Sequence, residues 1–218
     1  MTRSTALVFC GGGSAMALVP SLDDPLIVAA DGGVVEAHRQ GFRVDLLIGD
    51  LDSAPPDEVA RVTRGGGRLL RHSPDKDATD LELALDAAEG EGVERVLVVG
   101  GHGGRLDHLI GNALLLAAAR FRDLEIDAVF GAARLHVVRG HRVLEGEPGD
   151  QVSLFALGGT ARAVRSTGLR WNLNGDALDP GSTRGISNVF IEYTASLTLE
   201  AGVLLAIRPP PGDNEVVP

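Results

Sequence analysis

The sequence predicts an α/β domain built on a mostly parallel sheet, followed by an all-β domain of sandwich type. Short apolar runs alternate with helical patterns as far as residue 130, and each run stops at or near glycines or aspartates. From about Arg134 the texture changes to short apolar segments separated by Gly, Pro, Asn and Asp, with no long helical pattern. At 218 residues, 44% of them apolar and 23% charged, the chain can bury a sizeable core in one large or two modest domains.

Taken in order, residues 6–9 are the first expected strand, breaking at Gly11-Gly12-Gly13, and 26–30 the second, breaking at Asp31-Gly32-Gly33. A helix over 34–40 closes at Gly41. Residues 44–48 form a third strand that runs into Gly49-Asp50-Leu51-Asp52-Ser53. Pro55-Pro56 opens a helix that stops before Gly65-Gly66-Gly67, and 68–71 is a fourth strand. An apolar pattern at Leu81, Ala84 and Leu85 starts a helix near Asp77 that runs to about Glu89. Residues 95–99 form a fifth strand ending in Gly100-Gly101-His102-Gly103-Gly104, ahead of a helix over 106–121 and a sixth strand at 126–130. Further strands are expected at 135–138, 151–156, 161–166, 189–193 and 203–207, which puts an α/β domain at 1–132, a sandwich at 133–210 and a loose Pro-rich tail at 211–218.

Net charge is −10, which argues against general affinity for nucleic acid or an anionic membrane, both of which attract basic patches. The single cysteine, Cys10, excludes an internal disulfide framework and offers no zinc-cluster spacing; it reads as a small buried apolar residue. The first residues lack a basic stretch followed by a sustained apolar run, and no apolar run approaches the roughly 20 residues of a membrane span, so a cytoplasmic location is expected. No P-loop, dinucleotide-binding G-x-G-x-x-G context or G-x-S-x-G elbow occurs.

In parallel sheets ligands bind beyond the carboxyl ends of the strands. Asp31, Asp50, Asp52, Arg105 and Asp107 all follow expected strands, and the helix carrying Asp77 and Asp80 starts at the same rim. Taken singly these acids also read as caps and turns: Asp77 can cap its helix with Asp80 three residues on, and Asp and Ser are common loop residues. Together, unpaired carboxylates repel one another, and a hard oxygen-seeking cation such as magnesium relieves the repulsion. Such a rim suits phosphoryl-type transfer, with basic donors such as Lys76 and Arg105 stabilising charge and one aspartate orienting or deprotonating a hydroxyl. Lys76 is the only lysine beside nineteen arginines, a compact point charge suited to phosphate contact. Trp171, the only tryptophan, reads either as a sandwich-core residue or as a stacking surface for a cationic aromatic ligand.

Six ordered stretches carry a family resemblance: Ala30-Asp31-Gly32-Gly33, Ile48-Gly49-Asp50-Leu51-Asp52-Ser53, Asp75-Lys76-Asp77-Ala78-Thr79-Asp80-Leu81, Gly104-Arg105-Leu106-Asp107-His108, Gly168-Leu169-Arg170-Trp171-Asn172-Leu173 and Arg184-Gly185-Ile186-Ser187-Asn188. In that order the chain resembles the thiamine pyrophosphokinases. The resemblance implies transfer of a pyrophosphoryl group from ATP to the hydroxyl of thiamine, giving thiamine diphosphate and AMP. It also implies Mg2+ dependence and a homodimer with thiamine held between one subunit's α/β domain and the other's sandwich. By the same resemblance Asp50, Asp52 and Asp80 match the metal-binding and catalytic acids, with Arg105 catalytic as well. Asp31, Lys76, Asp77, Thr79 and Asp107 match the nucleotide and phosphate surroundings, and Trp171, Ser187 and Asn188 the thiamine-facing positions. Val44, where the family commonly has proline, and the glycine-rich 11–13 loop depart from the family pattern. A metal-dependent nucleotide hydrolase, releasing AMP without thiamine, and a silent binding module that makes no product are the competing readings.

Overall fold

The computed structural model describes residues 3–13, 19 and 22–210, so the expected tail at 211–218 lies outside the described residues. The chain divides into two compact units, one running to Leu115 and resuming over Asp123–Gly131, the other formed by Leu116–Arg122 and the chain from Ala132 onward.

The first unit holds strands β1 (Thr5–Cys10), β2 (Leu26–Ala30), β3 (Leu46–Gly49), β4 (Arg68–Arg71), β5 (Arg95–Val99) and β6 (Glu125–Phe130), ordered β6-β5-β1-β2-β3-β4 with every pairing parallel. β2 and β3 are buried along their whole length and β1 over all but its first residue, as a sheet covered on both faces requires. Leu7, Phe9, Ile27, Ala29 and Leu47 pack with Val34 and Ala37 of helix α1 (Gly33–Arg39) and Val62 of α2 (Pro56–Arg64). From β1 the chain builds outward through β2, β3 and β4, then returns to lay β5 on the other side of β1. The loops after β1 and β5 are therefore neighbours at the carboxyl edge, where such sheets take ligands in a crevice.

Two helix expectations need correction. Helix α3 is Asp80–Gly90, capped by Thr79, whose Oγ1 accepts a hydrogen bond from the Glu82 N–H at 3.2 Å. Thr79-Asp80-Leu81-Glu82 supplies the T-x-x-E capping pattern, so Asp77 stays in the loop rather than capping. The helix expected over 106–121 is α4 (Leu106–Leu116) followed by a separate 3-10 turn, Ala119–Phe121. Ala118 breaks it at ψ 140°, its freed carbonyl accepts from Arg139 Nη2 at 3.0 Å, and the break delivers Phe121 to full burial.

The second unit consists of two antiparallel four-stranded sheets. One is ordered β12 (Asn188–Val189), β9 (Gln151–Ala156), β14 (Leu204–Arg208), β7 (Ala133–Val138); the other is β11 (Asn174–Leu178), β10 (Ala161–Thr167), β13 (Thr194–Thr198), β8 (His141–Glu145). Val152, Leu154, Leu204 and Ala206 of the first face Leu144, Ala161, Val164, Ala195 and Leu197 of the second across one apolar core. Strands β8, β11 and β13 were not expected, and the strand expected at 189–193 is only the two residues of β12, after which the chain turns before β13.

Candidate active site and a second cavity

The acid rim forms in the first unit, and its glycines explain how. Asp31 directly follows β2, its N–H donating to Ile48 O at 2.8 Å, with φ +45°. A Cβ on the following Gly33 would lie 2.1 Å from Phe9 O, so only glycine lets α1 start this close to β1. After β3, Gly49 has φ +141°, and a Cβ there would meet Asp80 Oδ1 at 2.9 Å and Asp31 Cβ at 3.1 Å; its absence lets the acids of three segments approach. Leu51 at φ +65° then turns the chain so that the Asp52 N–H donates to Asp50 Oδ1 at 3.3 Å. Left-handed backbone at non-glycine residues beside a site is strain that the surroundings must hold in place.

The result is three carboxylates, of Asp31, Asp50 and Asp52, each offering an oxygen within 4.8 Å of the others, a spacing suited to one hard cation. Asp31 is 8% exposed, and its Oδ1 is buried without a hydrogen-bond partner. Burial raises its carboxyl above the ordinary range; hydrogen bonds from Ser53 and Gly32 oppose that, while the charges of Asp80 and Asp52 add to it. An orphaned, destabilised carboxylate oxygen beside two more acids fits a divalent cation.

Asp80, the first residue of α3, lies outside that three-acid group but lines the same cavity. Its Oδ1 accepts from Lys76 Nζ at 2.6 Å, and the same ammonium stands 3.7 Å from Asp50 Oδ2. Burial alone would lower the Lys76 ammonium, but the hydrogen bond and charge of Asp80, then Asp50 and Asp31, raise it. Lys76 is thus a built-in cation on the acid rim. Arg105, which lines the same cavity, is held by Asp107 through Nε at 3.2 Å and Nη2 at 2.5 Å, a bidentate pair that holds the Asp107 carboxyl down at about 2.

These groups surround a cavity of about 650 Å³ that runs from the acids to the glycines after β1 and β5, where Gly11, Gly12, Gly101 and Gly103 line it. Of the residues singled out in the sequence, Asp31, Asp50, Asp52, Thr79, Asp80 and Arg105 line it; Lys76 and Asp107 act on its walls. Asp77 is exposed and outside the lining, and Thr79 commits its hydroxyl to capping. Ser53 and His108, which stand in the family-matching stretches without an assigned role, also line the cavity, and so does Asn112, which sequence reasoning passed over and which donates to Gly101 O at 2.8 Å. Sequence reasoning also passed over the wall made by Cys10, whose thiol burial and the Asp80 charge push up to about 12.

The second unit has its own cavity of about 650 Å³, lined by Trp171, Asn188, Arg170, Arg184 and neighbours. Trp171 is 58% exposed, so it is not a core residue, and the Arg170 guanidinium lies over its ring at 5.6 Å from the centroid. Asn188 is a buried clamp: its Oδ1 accepts from Trp171 N–H at 3.1 Å and Val189 N–H at 2.9 Å, and its Nδ2 donates to Trp171 O at 2.8 Å. With both acceptor sites spent, it has one N–H left for a ligand. Ser187, at φ +58° with its N–H on Ser153 Oγ at 3.0 Å, falls outside the residues lining the cavity.

Residues 22–128 match the family model described as the thiamin pyrophosphokinase catalytic domain, and residues 138–204 match that described as the thiamin pyrophosphokinase vitamin B1 binding domain. This chain belongs to the thiamin pyrophosphokinase family. The first match contains the whole acid rim with Lys76 and Arg105, and the second contains Trp171 and Asn188. Among relatives, the thiamine pyrophosphokinase of Bacillus subtilis is 27% identical over 198 residues, covering 88% of this chain and 92% of that protein. Thiamine pyrophosphokinase 1 of rice is 28% identical over 183 residues, covering 78% of this chain and 67% of its own length. The crystal structure of the Bacillus subtilis thiamine pyrophosphokinase superimposes with a TM-score of 0.81 at 26% identity, covering 94% of this chain and 99% of that one.

Within this family member the Asp31 carboxylate makes a stability prediction. A carboxyl raised in the folded state binds protons more readily there, so its ionisation destabilises the metal-free protein above the ordinary aspartate range, and stability recovers as pH falls. Asp31→Asn, which also tolerates positive φ, should stabilise the metal-free protein at pH 7.5 by about 1 kcal/mol and should gain less in Tm than the wild type when magnesium is added. Thermal melts with and without magnesium check it; a lower metal-free Tm for the variant would contradict it.

Proposed function

We propose that this chain is a thiamine pyrophosphokinase, transferring the terminal pyrophosphoryl group of ATP to the hydroxyl of thiamine to give thiamine diphosphate and AMP. The observation that carries the reading is the Asp31, Asp50 and Asp52 carboxylates converging beside Lys76 in a cavity that Arg105 also lines, inside the stretch that matches the family's catalytic domain. In this reading residues 1–132 bind ATP and metal and 133–210 bind thiamine.

The thiamine hydroxyl oxygen attacks the β-phosphorus of ATP, the bond from that phosphorus to the bridging oxygen of AMP breaks, and the hydroxyl proton passes to a rim carboxylate. Lys76 and Arg105 place positive charge along the polyphosphate where negative charge grows. Asp107 fixes the Arg105 guanidinium, so little reorganisation is needed as the reaction proceeds. Asp50 and Asp52, with Asp31 and Asp80 beside them, are the residues that would hold Mg2+. When bound, the ion neutralises charge on the phosphate oxygens.

Trp171 offers the ring face not covered by Arg170 to the thiamine ring system. Trp171→Ala should raise the KM for thiamine about 10-fold or more while changing kcat less, measured by steady-state kinetics. A homodimer accompanies this reading, because Leu106, Ile110 and Leu114, four residues apart on α4, are all more than half exposed and would find cover in an association. Among the described residues no helix is long and apolar enough to cross a membrane, and a cytoplasmic location suits an enzyme supplied with ATP.

Incubation with ATP, magnesium and thiamine should yield AMP and thiamine diphosphate in equal amounts. ADP as the nucleotide product would refute the reaction type, AMP release that ignores thiamine would make the protein a hydrolase, and saturable binding with no product would make it a sensor.

A further inference from the structure

The segments that line the crevice directly after β1 (residues 11–13) and β5 (residues 100–104) are glycine at every position but one, so almost no side chains of their own hold their shape. Gly12, Gly13, Gly100, Gly101 and Gly104 all have positive φ, and the backbones of the two loops touch through Gly101 N–H to Gly11 O at 3.2 Å and Gly103 N–H to Gly12 O. The one residue with a side chain in these two segments is His102. Its Nδ1 accepts the N–H of Gly131, just after β6, at 2.9 Å. Its ring lies against Gly13 so closely that a Cβ there would stand 2.7 Å from Cε1 and Nε2, and against Gly131, where a Cβ would stand 3.3 Å from Nε2. One imidazole therefore touches the loops after β1, β5 and β6, immediately behind the glycines that line the cavity. His102 itself is not in the lining, so it does not touch a ligand there.

We infer that His102 is a positioning residue for nucleotide binding, using its Nδ1 acceptor on Gly131 to lock the glycine loops into the shape that receives ATP. The inference rests on the proposed reading of residues 1–132 as the part that binds ATP. Loops of this composition lose much conformational entropy on ordering, and a bond that orders them beforehand removes part of that cost from ligand binding. The requirement is for an acceptor at the Nδ1 position, not for a histidine as such, and this separates the inference from a merely structural role.

The test is the Kd for ATP by titration calorimetry without thiamine, alongside steady-state KM values and thermal melts, for H102L, H102N and H102Q. Asparagine places its amide oxygen near the Nδ1 position, whereas glutamine places its own nearer Nε2. H102L and H102Q should weaken ATP binding about 10-fold with the KM for thiamine unchanged, and H102N should stay within about 3-fold of wild type. Should H102L fail to fold, the contrast between H102N and H102Q decides. Equal ATP affinity in wild type and H102L, or an H102N as weak as H102Q, overturns the inference. A wild type that binds ATP but releases no AMP sinks the proposed reaction instead, and the binding comparison still judges His102.

Discussion

Asp52→Asn is expected to lower kcat by about 100-fold or more while leaving the melting temperature nearly unchanged. Asp52 sits on an exposed turn, with Oδ1 accepting from Ser53 Oγ at 2.9 Å, and nothing in the core depends on it. What it contributes is charge: it is one of three carboxylates within 4.8 Å of one another, and asparagine keeps the shape while removing the charge. The activity that remains should need a higher magnesium concentration for half-saturation, because a weaker ligand set holds the ion less well. Steady-state rates over a magnesium series read both effects. Wild-type turnover in the variant would remove Asp52 from the site.

Lys76→Met is expected to lower kcat by a similar factor, about 100-fold, and to shift the magnesium dependence the opposite way. The ammonium lies 2.6 Å from Asp80 and 3.7 Å from Asp50, so in the metal-free protein it neutralises the acids a cation would otherwise occupy. Removing it leaves those acids repelling one another, and a divalent ion should then bind at lower concentration even as the variant loses charge stabilisation along the polyphosphate. The Lys76 ammonium is raised, so its stabilising contribution is complete below the ordinary lysine range and is lost only as pH climbs through the higher folded value. Between pH 6 and 9 no limb of the activity profile should arise from its titration. A Lys76→Met variant with unchanged kcat, or needing more magnesium, would refute the placement.

Opposite shifts in metal requirement from two residues of one rim are difficult to produce by general destabilisation. Their combination therefore discriminates better than either loss of turnover alone.

Much of the α/β unit was legible because its buried strands are unbroken apolar runs ending in glycine or aspartate, as at Leu26–Ala30 before Asp31. The rim of acids followed from the rule that such sheets bind ligands at their carboxyl ends. Less legible was which strand neighbours which: β5 lies beside β1 only because the chain crosses back over the sheet, and no local pattern announces that. The glycine loops that line the crevice were accordingly seen as turns.

In the sandwich, β11 (Asn174–Leu178) escaped notice because Asn-Gly-Asp reads as a turn, and only pairing with β10 across a bulge at Ala163 makes it a strand. Thr79 was passed over as a cap because Asp77 offered a similar signal two residues earlier, and the choice between them rests on the Glu82 N–H that only Thr79 reaches. The burial of Asn188 under Trp171 was invisible for a related reason: an Asn spent on backbone groups and an Asn open to a ligand look alike in a sequence.

The most direct measurement is anomalous scattering from crystals grown with Mn2+ and ATP. The account predicts a peak about 2 Å from carboxylate oxygens of Asp50 and Asp52 and from phosphate oxygens, with Lys76 moved off Asp50. A peak elsewhere on the chain, or an ion held by the phosphates alone with Asp50 and Asp52 out of reach, would contradict it.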